Sequence, residues 1–162
     1  MSKVFGYPKF DEYGEMILTT YDNDYKAMMM DIRVYSMKAG YSRTFKRAGE
    51  EIAVLLLSGK VTYTWENEKT TVSRKDVFTE GPWALHVSGG KEIIVTAEEE
   101  SEILVQCTHN DKTFASRLYS PDDAPWGYSS VEVRKCGKAP CKYNLRPRYL
   151  PRVEYGTRRS TE

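Results

Sequence analysis

Histidine is scarce in this sequence: 162 residues contain two, His86 and His109. Imidazole is the usual nitrogen ligand of protein-bound zinc, copper and iron, so an all-imidazole metal centre is excluded. Cysteine is also sparse, with Cys107, Cys136 and Cys141. Three is an odd number and the spacings are wide, which argues against a secreted disulfide framework and leads us to expect a reducing cytoplasm. Net charge of one sign is lacking as well. The formal balance of +1 points to neither a nucleic-acid nor a membrane partner. No apolar run approaches the roughly 20 residues of a membrane-spanning helix. The opening Met1–Pro8 lacks the apolar core of a secretory leader, so none is expected. Long stretches of helical periodicity are missing up to residue 110, as are a phosphate-binding glycine loop, a nucleophile elbow and a dinucleotide fingerprint.

What is present is a series of short apolar-alternating runs, separated by turn signals about every ten residues. Aromatics make up 12% of the chain, including 12 Tyr, which favours strands. Met28–Met37 is one run. Glu51–Leu57 is almost wholly apolar, as expected of a strand buried on both faces. Ser58-Gly59 reads as a tight turn. Val61-Thr62-Tyr63-Thr64-Trp65 then alternates, with Val61, Tyr63 and Trp65 on one face. Val77-Phe78 and Ala84–Val87 flank Gly81-Pro82. Gly89-Gly90 turns the chain into Ile93–Ala97, and Ile103–Cys107 is the last clear strand. The pattern predicts an all-β jelly-roll barrel.

Charge divides the chain. Residues 1–125 hold 15 Lys and Arg against 20 Asp and Glu, whereas residues 126–162 hold 9 against 3, so a boundary falls near Trp126. The second segment is interrupted by Pro140, Pro147 and Pro151, and its apolar residues are isolated. It is expected to be an arm or disordered tail, with its basic residues solvated.

Two segments carry a family resemblance. Glu51-Ile52-Ala53-Val54-Leu55-Leu56-Leu57-Ser58-Gly59-Lys60-Val61 resembles the "ERAVLLLSGKV" stretch of 5-deoxy-glucuronate isomerases. Arg74–Val87 is similar to that family's "R-x-x-V-F-x-E-x-P-x-x-L-H-V". Ile103–Cys107 and Phe114–Asp123, with Ser116-Arg117-Leu118-Tyr119-Ser120-Pro121-Asp122-Asp123, continue the likeness over residues 15–125. A related family, the 4-deoxy-L-threo-5-hexosulose-uronate isomerases, shares the layout. The resemblance implies a cupin-type double-stranded β-helix, the amino-terminal barrel of a bicupin. Its implied reaction is the aldose–ketose isomerisation of 5-deoxy-glucuronate to 5-dehydro-2-deoxygluconate in myo-inositol catabolism. In that family a divalent metal sits in the second barrel, held by several His and a Glu. Residues 126–162 do not read as the start of such a barrel, and truncation, a frameshift or a single-domain relative each accounts for this.

The expectation is therefore a barrel without a metal or cofactor of its own, inactive alone, self-associating as a homodimer and soluble in the cytoplasm. The alternative is a non-catalytic cupin that binds a sugar acid or serves as an oligomerisation module. Catalytic residues are not assignable. Trp65, Trp83 and His86 are the candidates for contact with a sugar-acid substrate, the aromatics by stacking on the ring. The ordinary reading of both tryptophans is barrel core. His86 alternates with Leu85 and Val87 and is placed by this pattern inside the barrel, where Glu50, Glu51 or Glu80 would have to partner it as a ligand. A hydrogen-bonded structural role is the ordinary reading. His109, beside Asn110-Asp111, reads as exposed. Cys136 and Cys141, spaced C-x4-C, lack the second pair that a zinc site requires. Glu98-Glu99-Glu100 and Glu102 read as a solvated loop.

Overall fold

The computed structural model describes residues 8–23 and 25–123. Among them are nine strands: β1 Glu15–Thr19, β2 Asp31–Met37, β3 Ser42–Lys46, β4 Glu50–Trp65, β5 Glu68–Arg74, β6 Trp83–Val87, β7 Glu92–Ala97, β8 Ser101–His109 and β9 Arg117–Tyr119. The only helical element among the described residues is a single 3-10 turn, Lys26–Met28. It takes up the start of the run that the alternation pattern assigned to Met28–Met37, so the strand begins at Asp31. The expected tail 126–162, with Cys136 and Cys141, lies outside the described residues.

All pairings are antiparallel, and they form two sheets. One runs β1-β2-β8-β4-β6-β9. The other runs β3-β7-β4-β5. The 16-residue β4 belongs to both: Glu50–Leu56 pairs with β8 and β6, and Gly59–Trp65 pairs with β5 and β7. This corrects the reading of Ser58-Gly59 as a tight turn between two strands. The chain bends there through a bulge between Leu56 and Ser58 and changes sheet without reversing.

Glycine is needed at that bend. Gly59 has φ +96°, and a Cβ on it would come within 2.7 Å of the Ser101 Cα. The buried Ser101 side chain holds the corner, its Oγ accepting from the Lys60 amide at 3.0 Å and donating to the Glu99 carbonyl at 2.8 Å. The turn signal at Gly89-Gly90 falls where expected, between β6 and β7, and Glu66-Asn67 turns β4 into β5.

Alternation aims one face of each sheet at a shared core. Tyr35, Met37, Ile52, Val54, Leu56, Leu85, Val87, Ile103 and Val105 come from the first sheet, and Val61, Tyr63, Trp65, Val72, Ile93 and Val95 from the second. Tyr63 is fully buried, its hydroxyl reaching the Val54 carbonyl of the opposite half of its own strand at 3.5 Å. The expected all-β jelly roll of the cupin type is the fold observed.

Candidate functional site

The three candidate contact residues do not converge. Trp65 ends β4 and is 3% exposed, with its ring in the core and one edge on a shallow cleft of about 240 Å³ beside Glu66 and Lys91. Trp83 starts β6, pairs with Leu56 and packs partly buried against the same core. His86 pairs with Ala53 and lies between Leu85 and Val87, both fully buried. Alternation therefore puts the imidazole on the outer face of the first sheet. This corrects the reading that placed it inside the barrel. The apolar neighbours are what fill the interior, and they force His86 outward.

On that outer face, His86 Nε2 lies 3.6 Å from Glu51 Oε2. Its ring packs on Phe114 with centroids 4.6 Å apart, and Asn110 donates to the same Glu51 oxygen at 2.6 Å. Glu50 faces the other way and accepts from the Tyr21 hydroxyl at 3.2 Å. Glu80 is bound to its own loop, accepting from the Lys75 amide at 2.7 Å. Of the three carboxylates considered as partners, Glu51 alone is near His86. The exposed His109 ends β8 and stacks on Tyr21 at 4.5 Å.

The motif Arg74–Val87 proves architectural over its first half. Arg74, 6% exposed, donates to the Leu56 carbonyl at 2.8 Å and to the Glu80 carbonyl at 2.9 Å. Asp76 accepts from the amides of Phe78 and Thr79, both at 2.8 Å. Val77 and Phe78, read as strand-like from their composition, sit in this turn, and Phe78 is 81% exposed.

The most polar assembly on the core side was not singled out from the sequence. It lies at the mouth of the barrel, where β1, β2, β8 and the start of β4 meet. Asp31, 5% exposed, takes two hydrogen bonds from Arg33, at 2.7 and 2.9 Å, and a third from Arg47 at 3.3 Å. Arg33 also reaches Glu15 at 2.6 Å, and the Tyr35 hydroxyl donates to Glu15 at 3.3 Å. Arg43 lies over the Tyr35 ring at 4.5 Å. These side chains come from positions scattered between residues 15 and 47. The available signal was the charge of Asp31 and Arg33 at inward-facing positions of an otherwise apolar strand.

Electrostatics make this mouth a closed network. The hydrogen bonds from Arg33 to Asp31, and then to Glu15, raise the Arg33 pKa and keep the guanidinium charged. Burial, then the Glu50 carboxylate, pushes the Tyr21 hydroxyl up to about 12. Burial, then Glu15, does the same to Tyr35, also to about 12. Burial pushes the Cys107 thiol up to about 11, which leaves it protonated and a poor nucleophile at neutral pH. Glu15, Asp31 and Glu50 each already accept from a donor, so the arrangement braces the barrel.

The family resemblance implies a site of three imidazoles and a carboxylate. The residues here do not fit it: the two histidines lie on opposite faces of the first sheet, and no three His, Cys, Asp or Glu side chains among the described residues are grouped to hold a metal ion. No helix among the described residues is long and apolar enough to cross a membrane.

Comparison with known proteins gives a consistent picture of the fold. The family model described as the KduI/IolB family matches residues 6–148. That span passes the charge break at Trp126 and reaches well beyond the residues 15–125 in which the resemblance is visible by eye. The chain is similar to the crystal structure of an IolB-like protein from Salmonella typhimurium, at 21% identity and TM-score 0.58, over 62% of this chain and 40% of that one. It is similar to Ylba from E. coli at 16% identity and TM-score 0.54, over 72% of this chain and 49% of that one. A cupin superfamily protein from Desulfitobacterium hafniense aligns at 18% identity and TM-score 0.46, over 59% of this chain and 76% of that one. This chain thus spans less than half of the IolB-like and Ylba chains. No curated protein matches the sequence.

Proposed function

The chain belongs to the KduI/IolB family, and from that premise we propose that its barrel is the packed scaffold of a deoxy-uronate isomerase and not the seat of the reaction. The observation that carries this reading is the filled interior. Tyr63, Ile52, Leu56, Leu85, Ile93 and Ile103 occupy the space between the sheets and are fully buried. Among the described residues, these side chains occupy the space a sugar acid would need there. Aldose–ketose isomerisation also requires a polarised carbonyl and a base within hydrogen-bond reach of the migrating proton. The acids at the mouth are held by Arg33, Arg47, Tyr35 and Tyr21.

The reading is tested by assaying the purified chain with 5-deoxy-glucuronate, with and without added divalent metal ions. No turnover above the uncatalysed rate is expected. Turnover abolished by a chelator would overturn it and place a catalytic centre in this chain.

A second reading, a barrel that binds a sugar acid without converting it, draws on Arg47. Its side chain is 42% exposed and makes a single ion pair among the described residues. The remaining donors of its guanidinium suit a carboxylate. Calorimetric titration with glucuronate decides it: binding lost in Arg47→Ala supports this reading, and no heat in the parent chain removes it.

A further inference from the structure

The outer faces of the two sheets differ. The second carries a row of hydroxyls in register, Ser42, Thr96, Thr62 and Thr71. They bond in pairs, each at 2.8 Å. The first carries an apolar row, Met16, Val34, Leu104, Leu55, Ala84 and Tyr119. Toward the end of β8 that face turns polar. Gln106 and His86 flank Ala53, and Thr108 stands opposite Glu51. Over this polar end runs the connection from β8 to β9, residues 110–116.

The connection has no regular structure. Outside the strand ladders, its one backbone–backbone hydrogen bond among the described residues runs from the Asn110 amide to the Gly49 carbonyl, at 3.0 Å. Side chains hold it instead. Asn110 donates to Glu51, and the Phe114 ring lies on the His86 imidazole. Lys91 gathers the far end. Its ammonium has three N–H donors, and three acceptors surround it: Glu66 Oε1 at 2.8 Å, Ser116 Oγ at 3.2 Å and the Phe114 carbonyl at 3.3 Å. Glu66 has φ +48°, a left-handed backbone that glycine adopts more easily. The carboxylate that this strained residue brings to Lys91 accounts for a glutamate in the β4–β5 turn. The hydrogen bond from Lys91 holds the Glu66 carboxyl below its ordinary pKa.

Closure is also opposed. Thr108 Oγ1 and Ser88 Oγ are buried, with no hydrogen-bond partner among the described residues. Thr108 faces Glu51, and Ser88 directly follows β6, two residues past His86. A buried hydroxyl left unpaired disfavours the state that buries it. We propose that residues 110–116 are a strap, latched by Lys91, whose release uncovers the Glu51–His86 pair. Closed, the strap occupies both groups, Glu51 through Asn110 and His86 through Phe114. Released, it leaves a carboxylate and an imidazole side by side, free to bind a polar ligand.

The test uses the full chain and its two histidines. In proton NMR at one fixed pH, the Phe114 ring is expected to shift the His86 ring signals upfield, and Phe114→Leu gives their position without that shift. In Lys91→Ala the His86 signals are expected to move at least halfway to that position. Those of His109, stacked on Tyr21, are expected to stay in place. Trypsin cleavage at the Lys112–Thr113 bond, read by mass spectrometry, is expected to speed up about tenfold, the worth of one charge-assisted hydrogen bond. Thr108→Val removes an unpaired hydroxyl at nearly constant shape and is expected to slow that cleavage. Should Lys91→Ala not fold, Glu66→Gln removes the ion pair and is expected to act in the same direction. His86 signals and cleavage unchanged in Lys91→Ala overturn the latch. So does equal movement of the His109 signals, which marks a change in the whole barrel. Cleavage of Thr108→Val no slower than the parent's overturns the opposition to closure.

Discussion

Individual side chains here divide into those that fill the barrel and those that close its mouth. Leu56 is fully buried where β4 passes from one sheet to the other. Leu56→Ala removes its contacts with both sheets and should cost about 2–5 kcal/mol, read from urea unfolding. A loss of a few tenths would place Leu56 at a surface. Tyr21 and Tyr35 report on the mouth. Their folded pKa values, about 12, lie above the ordinary phenol value of 10.0, because burial and the neighbouring Glu50 and Glu15 oppose ionisation. A raised folded pKa means that the native state binds the proton more tightly than the unfolded chain does. The associated stability is therefore complete below pH 10 and is lost as pH climbs from 10 to about 12. Urea unfolding across that range should show the decline, and the double variant Tyr21→Phe, Tyr35→Phe should flatten it. An unchanged slope in that variant would place the alkaline sensitivity elsewhere.

At the scale of elements, the ion network ties β1, β2 and the β3–β4 connection together. Glu15 lies on β1, Asp31 and Arg33 on β2, and Arg47 just after β3. Neither β1 nor β3 is long enough to hold itself, each being five residues paired on one side. The carboxylate of Asp31 is the common acceptor. Asp31→Ala leaves Arg33 with Glu15 alone and removes the acceptor that Arg47 shares, and should cost about 1–3 kcal/mol. Because the loss is concentrated at the edge, amide hydrogen exchange should speed up in β1 and β3 well before it does in β7. Uniform acceleration in all three would show that the network does no more than add to global stability.

At the scale of the whole molecule, the described residues form a barrel whose core is packed and whose two outer faces differ. Among the described residues, the space between the two sheets is taken up by buried side chains. The match to the KduI/IolB family supplies the family, while the geometry of this chain supplies packing, a sealed mouth and an apolar exterior row.

How much of this could be read from the sequence follows from what local patterns encode. Alternation along 61–65 indicated that Val61, Tyr63 and Trp65 share one face, because a side-chain period of two depends only on the strand itself, and that face is the buried one. The same pattern carried the all-β class, whereas Glu51–Leu57, read as buried on both faces, buries Ile52, Val54 and Leu56 and leaves Ala53, Leu55 and Leu57 half-buried. Motif likeness carried the family, but it gave Arg74 and Glu80 no role until the loop between them was seen to clamp the bend of β4. Three matters were left to the tertiary structure. His86 was placed inward because a strand pattern shows that residues alternate but not which set the core claims, and Leu85 and Val87 claimed it. The turn at Ser58-Gly59 became a bend because a left-handed glycine serves either, and the packing of Ser101 against it decided between them. The mouth network joins residues between 15 and 50 with Cys107, across separations that no local period spans, so only the closure of the two sheets could bring them together.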